Sequence, residues 1–533
     1  LPGSHFAPYG SILSPLPVRP GSPMVHPLFP PMPSVRTSSR RPSRPSGHAA
    51  HTQDAASAGL PGRMPRPVKL VFLGAGSFFA PRLINDLIHI PGEQGGTVVL
   101  VDIDRRRLNL TARMVRKLLV ASGKAHWKLQ ATPDRLKALP GADYIVNCIE
   151  VSGAECVVHD NDIPLKYGID QCIGDTIGPG GLFKALRTIP VWLEVLRDCE
   201  RLCPQALVLN YTNPMSMLCL AAGRTSSMAV VGLCHSVQGT SQKLATYAGV
   251  PYAELEWACA GINHLAWFTT LRHRGVDLYT DRLYRQFAAD VAAGIAEYDA
   301  GGVLQDATDI THGATRANPS KSTDLIRKDM CVHFGAFITE SSGHLSEYLP
   351  YYRKSEAGRK LLRLAYDGGS RFYATNWPRW RTEADAERQA MLRGDAPLGW
   401  PRSWEYASWI IEAREKDAPF RIHGNVMNHH RGAGQLITNL PADGCVEVAC
   451  LVDRNGVQPL RYGALPAQMA GLCASNMAMF DLGAQAAVER SIEKAVYALM
   501  LDPLTAALCT PAQIKAMTLE MFAAENAFLP GYR

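Results

Sequence analysis

A short apolar strand that ends in a glycine turn is the first sign of regular structure in this chain. Val68–Ser77 reads VKLVFLGAGS, in which the apolar run leads directly into Gly74 and Gly76. Glycine at such a turn permits a tight reversal and lets the backbone approach a phosphate group. A strand, a glycine turn and a following helix together are typical of a unit that binds a dinucleotide.

Apolar strands and amphipathic helices alternate over residues 68–235, which predicts an α/β fold with an N-terminal Rossmann-like, doubly wound parallel sheet. The predicted strands are Lys69–Leu73, Thr97–Asp102, Asp143–Ile149, Ala206–Asn210 and Met228–Leu233. The predicted helices are Pro81–Ile90, Arg105–Val120 and Leu182–Cys199. Ligands of such sheets bind at the carboxyl ends of the strands, so the functional residues are expected there.

The pattern changes after about residue 250, where we predict a mixed α+β, mainly helical C-terminal part. Trp257–Leu271 and Asp277–Leu278 read as antiparallel strands around a turn at His273–Gly275. The predicted helices are Leu283–Tyr298, Ser403–Arg414, Pro466–Phe480, Gln485–Leu501 and Pro511–Ala524. We expect residues 299–325 and 366–402 to form loops over the site. This gives a nucleotide-binding domain over 68–250 and a second domain over 251–533.

Residues 1–67 differ in composition from the rest. They hold 15 of the 37 prolines and seven arginines against the single acid Asp54. A segment of this kind cannot bury enough apolar surface to order itself, so we expect a disordered leader. A targeting peptide is the alternative, although the many prolines disfavour an amphipathic helix.

Charge, cysteine content and hydropathy exclude several classes of protein. The chain carries +7 overall, of which the leader supplies +6, so the remainder is nearly neutral and suggests no nucleic-acid partner. No apolar run approaches the ~20 residues that a membrane span needs. The 13 cysteines are an odd number scattered through predicted elements, which favours reduced thiols and a cytoplasmic location.

The predicted nucleotide site consists of Gly74, Gly76, Ser77 and Asp102. Asp102 ends the second strand, 26 residues after Gly76, where a carboxylate can bind a ribose 2′-hydroxyl and so favours NAD over NADP. The third glycine of the full fingerprint is replaced by Phe79. The glycine turn alone is a weak signal, and its context within alternating strands and helices gives it weight.

Two residues suggest a divalent metal. Cys234 follows a predicted strand and His264 comes 30 residues later, and thiolate and imidazole both ligate first-row divalent metals. His235, next to Cys234, has the neutral-range pKa of a general acid or base. Buried cysteines and single histidines are more often structural, so the pair by itself does not establish a metal site.

Further polar residues could reach the same cleft. Asn213 lies at a strand-to-helix turn and Asp175 in the glycine-rich loop GDTIGPGG, both suited to binding sugar hydroxyls. Asp329 precedes the segment FITESSGHLSEY, which is rich in polar groups. That segment places Glu340, His344 and Glu347 within eight residues.

With these motifs the chain resembles glycoside hydrolase family 4, the NAD- and Mn-dependent α-glycosidases. The resemblance runs from about Val68 to about Tyr532 and rests on the motifs NYTNPM, GLCHSVQG, GINHLAWF and FITESSGHLSEYLPYYRK. Two stretches depart from the family pattern. Gly343 stands where relatives often carry Glu, and His429–Gln435 is unusual enough that we assign no residue there.

The resemblance implies a role for each site residue. Cys234 and His264 would hold Mn²⁺, Asn213 would bind substrate, and His235 would be the leaving-group acid. Asp329 would take the proton from C2, with Tyr348 or Tyr351 as the fallback because some members use a tyrosine.

The mechanism implied by the resemblance begins with hydride transfer from C3 of the sugar to NAD⁺. The resulting ketone and the metal acidify the C2 proton, whose removal expels the glycosidic oxygen from C1. Water then adds and NADH returns the hydride, so there is no net redox change. Ordinary glycosidases work differently, with two carboxylates astride the glycosidic bond, and family 4 is an exception to that scheme.

The resemblance favours an α-galactoside as substrate, either a small oligosaccharide or a simple α-glycoside. It also favours a homo-oligomer, either a dimer or a tetramer. An α-glucoside or an α-uronide is the alternative, and Arg327, Lys328 or Arg353 could pair with a uronate. Outside this class we keep open an NAD-dependent sugar or hydroxy-acid dehydrogenase, a catalytically inactive sugar-binding protein and a two-carboxylate glycosidase. The dehydrogenase would accumulate NADH with substrate, whereas the glycosidase with two carboxylates would need no NAD.

Overall fold

The computed structural model describes residues 53–301, 323–430 and 434–533. Within these ranges thirteen strands form one sheet and two more form a short hairpin. The sheet strands are β1 (Val68–Leu73), β2 (Gly96–Val101), β3 (Lys128–Thr132), β4 (Tyr144–Asn147), β5 (Leu207–Asn210), β6 (Ala229–Gly232), β7 (Leu255–Ile262), β8 (Leu265–His273), β9 (Val276–Asp277), β10 (Phe337–Ile338), β11 (Phe420–Met427), β14 (Cys445–Asp453) and β15 (Gly456–Pro459). The hairpin consists of β12 (His429–His430) and β13 (Gly434–Gln435).

Helices pack against the sheet and cover its edges. They are α1 (Gln53–Ala58), α2 (Phe79–Ile88), α3 (Arg105–Ala121), α4 (Arg135–Ala138), α5 (Gly153–Lys166), α6 (Gly178–Leu202), α7 (Met215–Thr225), α8 (Ser236–Ala248), α9 (Asp281–Asp299), α10 (Leu325–Phe334), α11 (Ser342–Tyr348), α12 (Glu356–Arg359), α13 (Phe372–Arg393), α14 (Tyr406–Lys416), α15 (Ala467–Glu489), α16 (Ile492–Leu501), α17 (Pro503–Leu508) and α18 (Pro511–Ala524). None of the helices in the described ranges has the length and apolar character that a membrane span requires.

The first half of the sheet is parallel, as the sequence predicts. Its strands follow the order β3-β2-β1-β4-β5-β6, and each neighbouring pair is parallel. The central strands are apolar and buried along their length, as expected of a sheet covered on both faces. The carboxyl ends of β1, β2, β4, β5 and β6 therefore lie at one edge of the sheet.

The second half continues the same sheet with antiparallel strands. β11 pairs antiparallel with β6 and is followed by β14, β7, β8 and β10. Residues beyond 250 thus add strands to the sheet as well as the predicted helices, which is how they reach the site.

The hairpin of β7 and β8 corrects one prediction. Trp257–Leu271 is not one strand, because the chain reverses at Asn263 and His264, and the residues on either side pair from Ile262↔Leu265 outward. Both arms are apolar, so hydrophobicity alone did not reveal the reversal. The reversal places His264 at the tip of a tight turn.

Two of the predicted irregular segments also need correction. Residues 53–67 are part of the fold, since α1 is formed, Met64 is buried in the core, and Arg66 pairs with Asp143 at 2.7 Å and with Glu415 at 2.8 Å. The rest of the expected leader, residues 1–52, lies outside the described residues.

The expected loop 366–402 contains α13, whose mixed aromatic and charged sequence hides helical periodicity. Most of the other expected loop, residues 302–322, lies outside the described residues.

Candidate active site

The glycine turn after β1 is shaped around the carboxylate of Asp102. The Gly76 N–H donates to Asp102 Oδ2 at 2.6 Å, and the Asp104 N–H donates to Asp102 Oδ1 at 2.8 Å. A Cβ at Gly76 would lie 2.8 Å from that carboxylate, so only glycine fits. Gly74 has φ +79°, and a Cβ there would lie 2.3 Å from the Cys148 carbonyl oxygen. Both glycines are therefore required by close packing.

The same turn leaves groups that fit a dinucleotide. The Ser77 hydroxyl oxygen is buried and has no hydrogen-bond partner among the described residues. Ile103, beside Asp102, is 90% exposed and offers an apolar surface of the kind that a nucleobase covers. Arg388 on α13 donates to the Gly76 carbonyl oxygen at 3.1 Å and ties the turn to that helix. Gly74, Gly76 and Ser77 thus form one turn, and Asp102 at the end of β2 is hydrogen-bonded to it.

A cluster of three candidate metal ligands lies where β6 ends. The Cys234 thiol is 3.6 Å from His264 Nε2, which is 3.8 Å from Glu340 Oε2. One ligand atom from each residue lies within 4.8 Å of the other two, a spacing that one cation can bridge. Cys234 and His264 are the predicted pair, and Glu340 joins them.

Backbone strain marks two of these three residues. His264 has φ +64° and Glu340 has φ +71°, a left-handed conformation that few residues other than glycine adopt. Such strain persists only where the surrounding structure holds it, and it concentrates at functional sites. The strain therefore supports a functional role for the cluster.

Burial sets the protonation of these ligands. It lowers the pKa of His264 to about 4, which keeps the imidazole neutral and able to bind a metal. Burial also raises the pKa of the Cys234 thiol well above its usual value, with the carboxylates of Glu340 and Glu447 adding to the effect. A cation between these groups would favour the thiolate, so the donor set suits a divalent metal.

His344, one helical turn after Glu340, joins the cluster to the loop of Asp175. Its Nδ1 is 3.3 Å from Glu340 and its Nε2 is 3.6 Å from Asp175. Although burial alone would lower the pKa of His344, these two carboxylates raise it to about 10. The Tyr366 hydroxyl contacts both Glu340 and His344, the latter at 3.2 Å. Burial, with Glu340 adding to it, raises the pKa of Tyr366 well above its usual range.

The other predicted residues occupy two sides of the cluster. Asn213, which precedes a cis-proline, donates from its side-chain amide to Asp175 Oδ2 at 3.2 Å. His235 directly follows Cys234 and precedes α8, and its Nδ1 is 3.8 Å from Glu405. The His235 ring is 38% exposed, so it is open to a ligand.

Asp329 contacts side chains other than those of this cluster, and its role as the C2 base stays a prediction. Its carboxylate accepts from the Tyr352 hydroxyl at 2.7 Å and lies 3.4 Å from His333. Of the two fallback tyrosines, Tyr348 is buried with its ring 6.1 Å from that of His264, whereas Tyr351 is 39% exposed and packs on Phe334. Asp329 is partly exposed, whereas its neighbours Lys328 and Met330 are buried.

Glu340, named in the sequence analysis without a role, and Tyr366, not named there, are further functional candidates. The spacing of Glu340 and His344 at i and i+4 was a usable signal, since it places both on one face of a helical turn. Tyr366 carried no such signal, because it lies in an irregular segment that only the fold brings to α11.

Glu347, in the segment FITESSGHLSEY, fixes the loop that carries Asp175. Its carboxylate accepts from the backbone N–H groups of residues 172–174, at 2.6, 2.7 and 3.2 Å.

Comparison with known proteins identifies the family. The model of the family 4 glycosyl hydrolases matches residues 69–250, and the model of their C-terminal domain matches residues 259–505. The chain belongs to glycoside hydrolase family 4. The resemblance in the sequence motifs is thereby confirmed, and the chain is a glycoside hydrolase by family.

Curated family 4 relatives align with most of the chain. The α-galactosidase of Bacillus subtilis is 35% identical over 469 residues, which is 87% of this chain and 100% of that protein. The α-galactosidase of Rhizobium meliloti is 34% identical over 480 residues, 87% of this chain and 89% of that protein. An α-galacturonidase of Bacillus subtilis is 28% identical over 449 residues, 82% of this chain and 93% of that protein.

Solved structures show the same fold. A 6-phospho-α-glucosidase from gut microorganisms, in complex with NAD and Mn²⁺, gives a TM-score of 0.68 at 22% identity and covers 88% of this chain and 100% of its own. The 6-phospho-β-glucosidase of Thermotoga maritima, with manganese, NAD⁺ and glucose 6-phosphate, gives 0.66 at 19% identity and covers 86% and 99%. The Rossmann-like sheet with its antiparallel extension is therefore a fold of family 4.

Proposed function

We propose that this family 4 enzyme hydrolyses α-galactosides with NAD⁺ and Mn²⁺ as cofactors. The observation that carries the proposal is the placement of the nucleotide turn and the strained Cys234–His264–Glu340 cluster at the same edge of the sheet. The 35% identity to an α-galactosidase over its full length supports the choice of sugar.

The residues present fit both cofactors. Gly74, Gly76, Ser77 and Asp102 would hold NAD⁺, while Cys234, His264 and Glu340 would hold Mn²⁺. When bound, these groups would supply a hydride acceptor for C3 of the sugar and a Lewis acid for its O2 and O3.

The protein's own residues would handle protons and orientation. His235 is open to a ligand and would protonate the glycosidic oxygen as it leaves C1. Asn213 and Asp175 would bind sugar hydroxyls. In place of Asp329 we assign removal of the C2 proton to the phenolate form of Tyr366, whose oxygen touches Glu340 and His344 and which a cation held at the adjacent cluster would stabilise.

The charges around the site support a neutral sugar over a uronic acid. The three cations considered for a uronate are paired elsewhere, Arg327 with Asp324 at 2.5 Å, Lys328 with Asp290 at 2.9 Å and Arg353 with Asp170 at 2.7 Å. Carboxylates, by contrast, crowd the site. An added sugar carboxylate would meet repulsion without a free partner among these three cations.

The test is hydrolysis of p-nitrophenyl α-galactoside and α-glucoside by metal- and nucleotide-stripped protein. NAD⁺ and Mn²⁺ are added singly and together, with a thiol reductant throughout. We expect hydrolysis only with both, faster on the galactoside and without net NADH. Activity with neither cofactor would indicate a two-carboxylate glycosidase, and stoichiometric NADH would indicate a dehydrogenase. Cytoplasmic location, homo-oligomeric assembly and the division at residue 250 stay predictions.

A further inference from the structure

A buried polar corner lies beyond His344, on the side of the metal cluster away from His235. We call it the Asp175 corner and define it as Asp175, Lys184, Tyr373 and Trp377. Lys184 Nζ lies 3.6 Å from Asp175 Oδ2, 3.0 Å from Glu150 Oε2 and 5.5 Å from the centre of the Trp377 ring. Asp175 and Lys184 are each 7% exposed.

Two polar atoms in this corner have no hydrogen-bond partner among the described residues. They are Asp175 Oδ1, an acceptor that His344 Nε2 approaches only to 3.6 Å, and the Trp377 indole Nε1, a donor. Buried polar atoms are almost always paired, because leaving one unpaired costs free energy. A ligand that offers hydroxyl groups would satisfy both. The corner is therefore built to receive polar groups that the chain itself does not supply.

The aromatic side of the corner is held against the loop of Asp175. The rings of Tyr373 and Trp377, one helical turn apart on α13, meet edge to face with centroids 4.5 Å apart. The Tyr373 N–H donates to the Cys172 carbonyl oxygen at 2.9 Å, and the Arg371 N–H donates to that of Gln171 at 2.7 Å. Aromatic rings beside hydrogen-bonding groups suit a sugar, whose C–H faces are apolar and whose edges carry hydroxyls.

The order of residues along the site indicates which part of the sugar reaches this corner. His235, the C1 side, adjoins Cys234. His264 follows, and its ring lies 4.4 Å from that of His344, which in turn adjoins Asp175. If the metal cluster binds O2 and O3, the next atoms beyond it on the side opposite C1 are C4 and its hydroxyl.

We propose that the Asp175 corner reads the C4 hydroxyl of the substrate and stacks on its C4–C6 face, and so selects galactosides over glucosides. This inference rests on the proposed function. In galactose the axial hydroxyl at C4 leaves one ring face with C–H groups only, which packs on Tyr373 and Trp377. The hydroxyl itself donates to Asp175 Oδ1. In glucose the C4 hydroxyl is equatorial and points in a different direction, so it does not make the hydrogen bond to Asp175 Oδ1.

The test pairs enzyme variants with a substrate that lacks the group being read. The holoenzyme with NAD⁺ and Mn²⁺ is assayed on an aryl α-galactoside and its 4-deoxy analogue, as wild type, Asp175→Asn and Trp377→Leu. Removal of the hydroxyl should lower kcat/KM by at least about 100-fold in wild type, because its partner is left unpaired. In Asp175→Asn the same removal should cost less than about 10-fold, which shows coupling between the two groups.

Trp377 tests the stacking surface separately. Trp377→Leu should raise KM for the galactoside by about 10-fold and reduce the galactoside-to-glucoside ratio of kcat/KM, while Trp377→Phe keeps a ring and should lose less. The matched control is Trp400→Leu, a half-buried tryptophan outside the corner whose ring lies 5.2 Å from the Arg82 guanidinium. That variant should keep the wild-type ratio.

A binding measurement covers variants that turn over too slowly. Calorimetry on the holoenzyme should show tighter binding of galactose than of glucose in wild type and a smaller difference in Trp377→Leu. Equal losses for the 4-deoxy substrate in wild type and Asp175→Asn, with an unchanged binding preference in Trp377→Leu, would overturn the inference. Failure of the wild type to hydrolyse any α-galactoside with both cofactors would instead overturn the proposed function.

Discussion

Three side chains that are far apart in the sequence form the candidate metal centre. Cys234 follows a parallel strand, His264 sits at a hairpin tip and Glu340 precedes α11. Left-handed backbone at His264 and Glu340 aims their side chains inward at a conformational cost of order 1–3 kcal/mol each. The surrounding structure keeps both residues in this unfavourable conformation. Because such strain concentrates at functional sites, we assign a ligand to the cluster.

Replacement of the thiol tests this centre. Cys234→Ser should weaken Mn²⁺ binding by at least about 10-fold and abolish hydrolysis, because a neutral hydroxyl is a much poorer ligand than a thiolate. Equilibrium dialysis with Mn²⁺ gives the affinity. Cys509→Ser is the control, because Cys509 is buried and donates to the Tyr167 carbonyl, a role that a hydroxyl can take over. Wild-type affinity in Cys234→Ser would remove this residue from the centre.

The choice between Tyr366 and Asp329 as proton acceptor is decided by a matched pair of variants. Tyr366→Phe should slow exchange of the sugar C2 proton with solvent by about 100-fold or more, the usual worth of a general base. Asp329→Asn should stay within a few-fold of wild type, because its contacts are with Tyr352 and His333. NMR of recovered substrate in D₂O measures the exchange. The opposite pattern would restore the role to Asp329.

Asp502, at the N-terminus of α17, gives a pH dependence of stability. Its carboxylate accepts from the Thr505 N–H at 2.8 Å and is fully buried, and burial raises its pKa from 3.8 to about 6. The folded state thus holds this proton more tightly than the unfolded state. Its stabilising effect, as much as about 3 kcal/mol, is complete below pH 3.8 and is lost as the pH rises through 6.

Urea unfolding between pH 4 and 7 checks that dependence. Asp502→Asn keeps the helix cap and should give a free energy of unfolding that falls less over this range than in wild type. Asp104→Asn is the control, because Asp104 caps α3 in the same way at a position where its side chain is 41% exposed. An identical pH dependence in wild type and Asp502→Asn would contradict the assignment.

At the scale of elements, α11 and the segment of Tyr366 pack too closely for any side chain at Gly343. A Cβ there would lie 2.1 Å from the Tyr366 carbonyl oxygen and 3.0 Å from the Cys172 thiol. Glycine in place of the Glu expected from the family pattern therefore lets the Tyr366 segment close over the site. The departure noticed in the sequence has a packing cause.

Gly343→Ala should destabilise the protein by about 2 kcal/mol and lower kcat/KM, because the Tyr366 segment must shift. Chemical unfolding and the hydrolysis assay measure the two effects. Gly471→Ala is the control, since Gly471 lies on the exposed face of α15 with open space around its Cβ, and it should stabilise the helix by as much as about 1 kcal/mol. Unchanged stability and activity in Gly343→Ala would show that the Tyr366 segment can move to accommodate a side chain, which would contradict the close packing at Gly343.

Local pattern predicted the elements but not all of their turns. The parallel strands, most of the long helices and the glycine turn follow from hydrophobic periodicity and glycine chemistry, which are local properties. The prediction of Gln485–Leu501 as one helix is wrong, because α15 ends at Glu489 and α16 begins at Ile492.

The reversal at His264 and the helix α13 did not follow from local pattern, because the apolar arms on both sides of Asn263 and His264 read as one strand and a mixed aromatic sequence gives no clear period. Glu340 carried a local signal in its spacing to His344, whereas Tyr366 reaches the site through long-range packing, which no local signal records.

At the scale of the molecule, one sheet joins the nucleotide turn to the substrate side. Strands β1 to β6 bring Asp102 and Cys234 to one edge, and the antiparallel extension places His264 beside them. Helix α13 spans both regions, because its first turn contacts the loop of Asp175 and Arg388 holds the Gly76 carbonyl. This arrangement is what a reaction needs when hydride acceptor and metal act on adjacent carbons.

The most direct test of this mechanism is the position of deuterium in galactose released in D₂O. The holoenzyme hydrolyses an aryl α-galactoside in D₂O, and the product is analysed by NMR and mass spectrometry. Oxidation at C3 with elimination across C1 and C2 predicts one carbon-bound deuterium at C2. Hydrolysis by two carboxylates leaves the C2–H bond intact, so galactose without carbon-bound deuterium would contradict the mechanism.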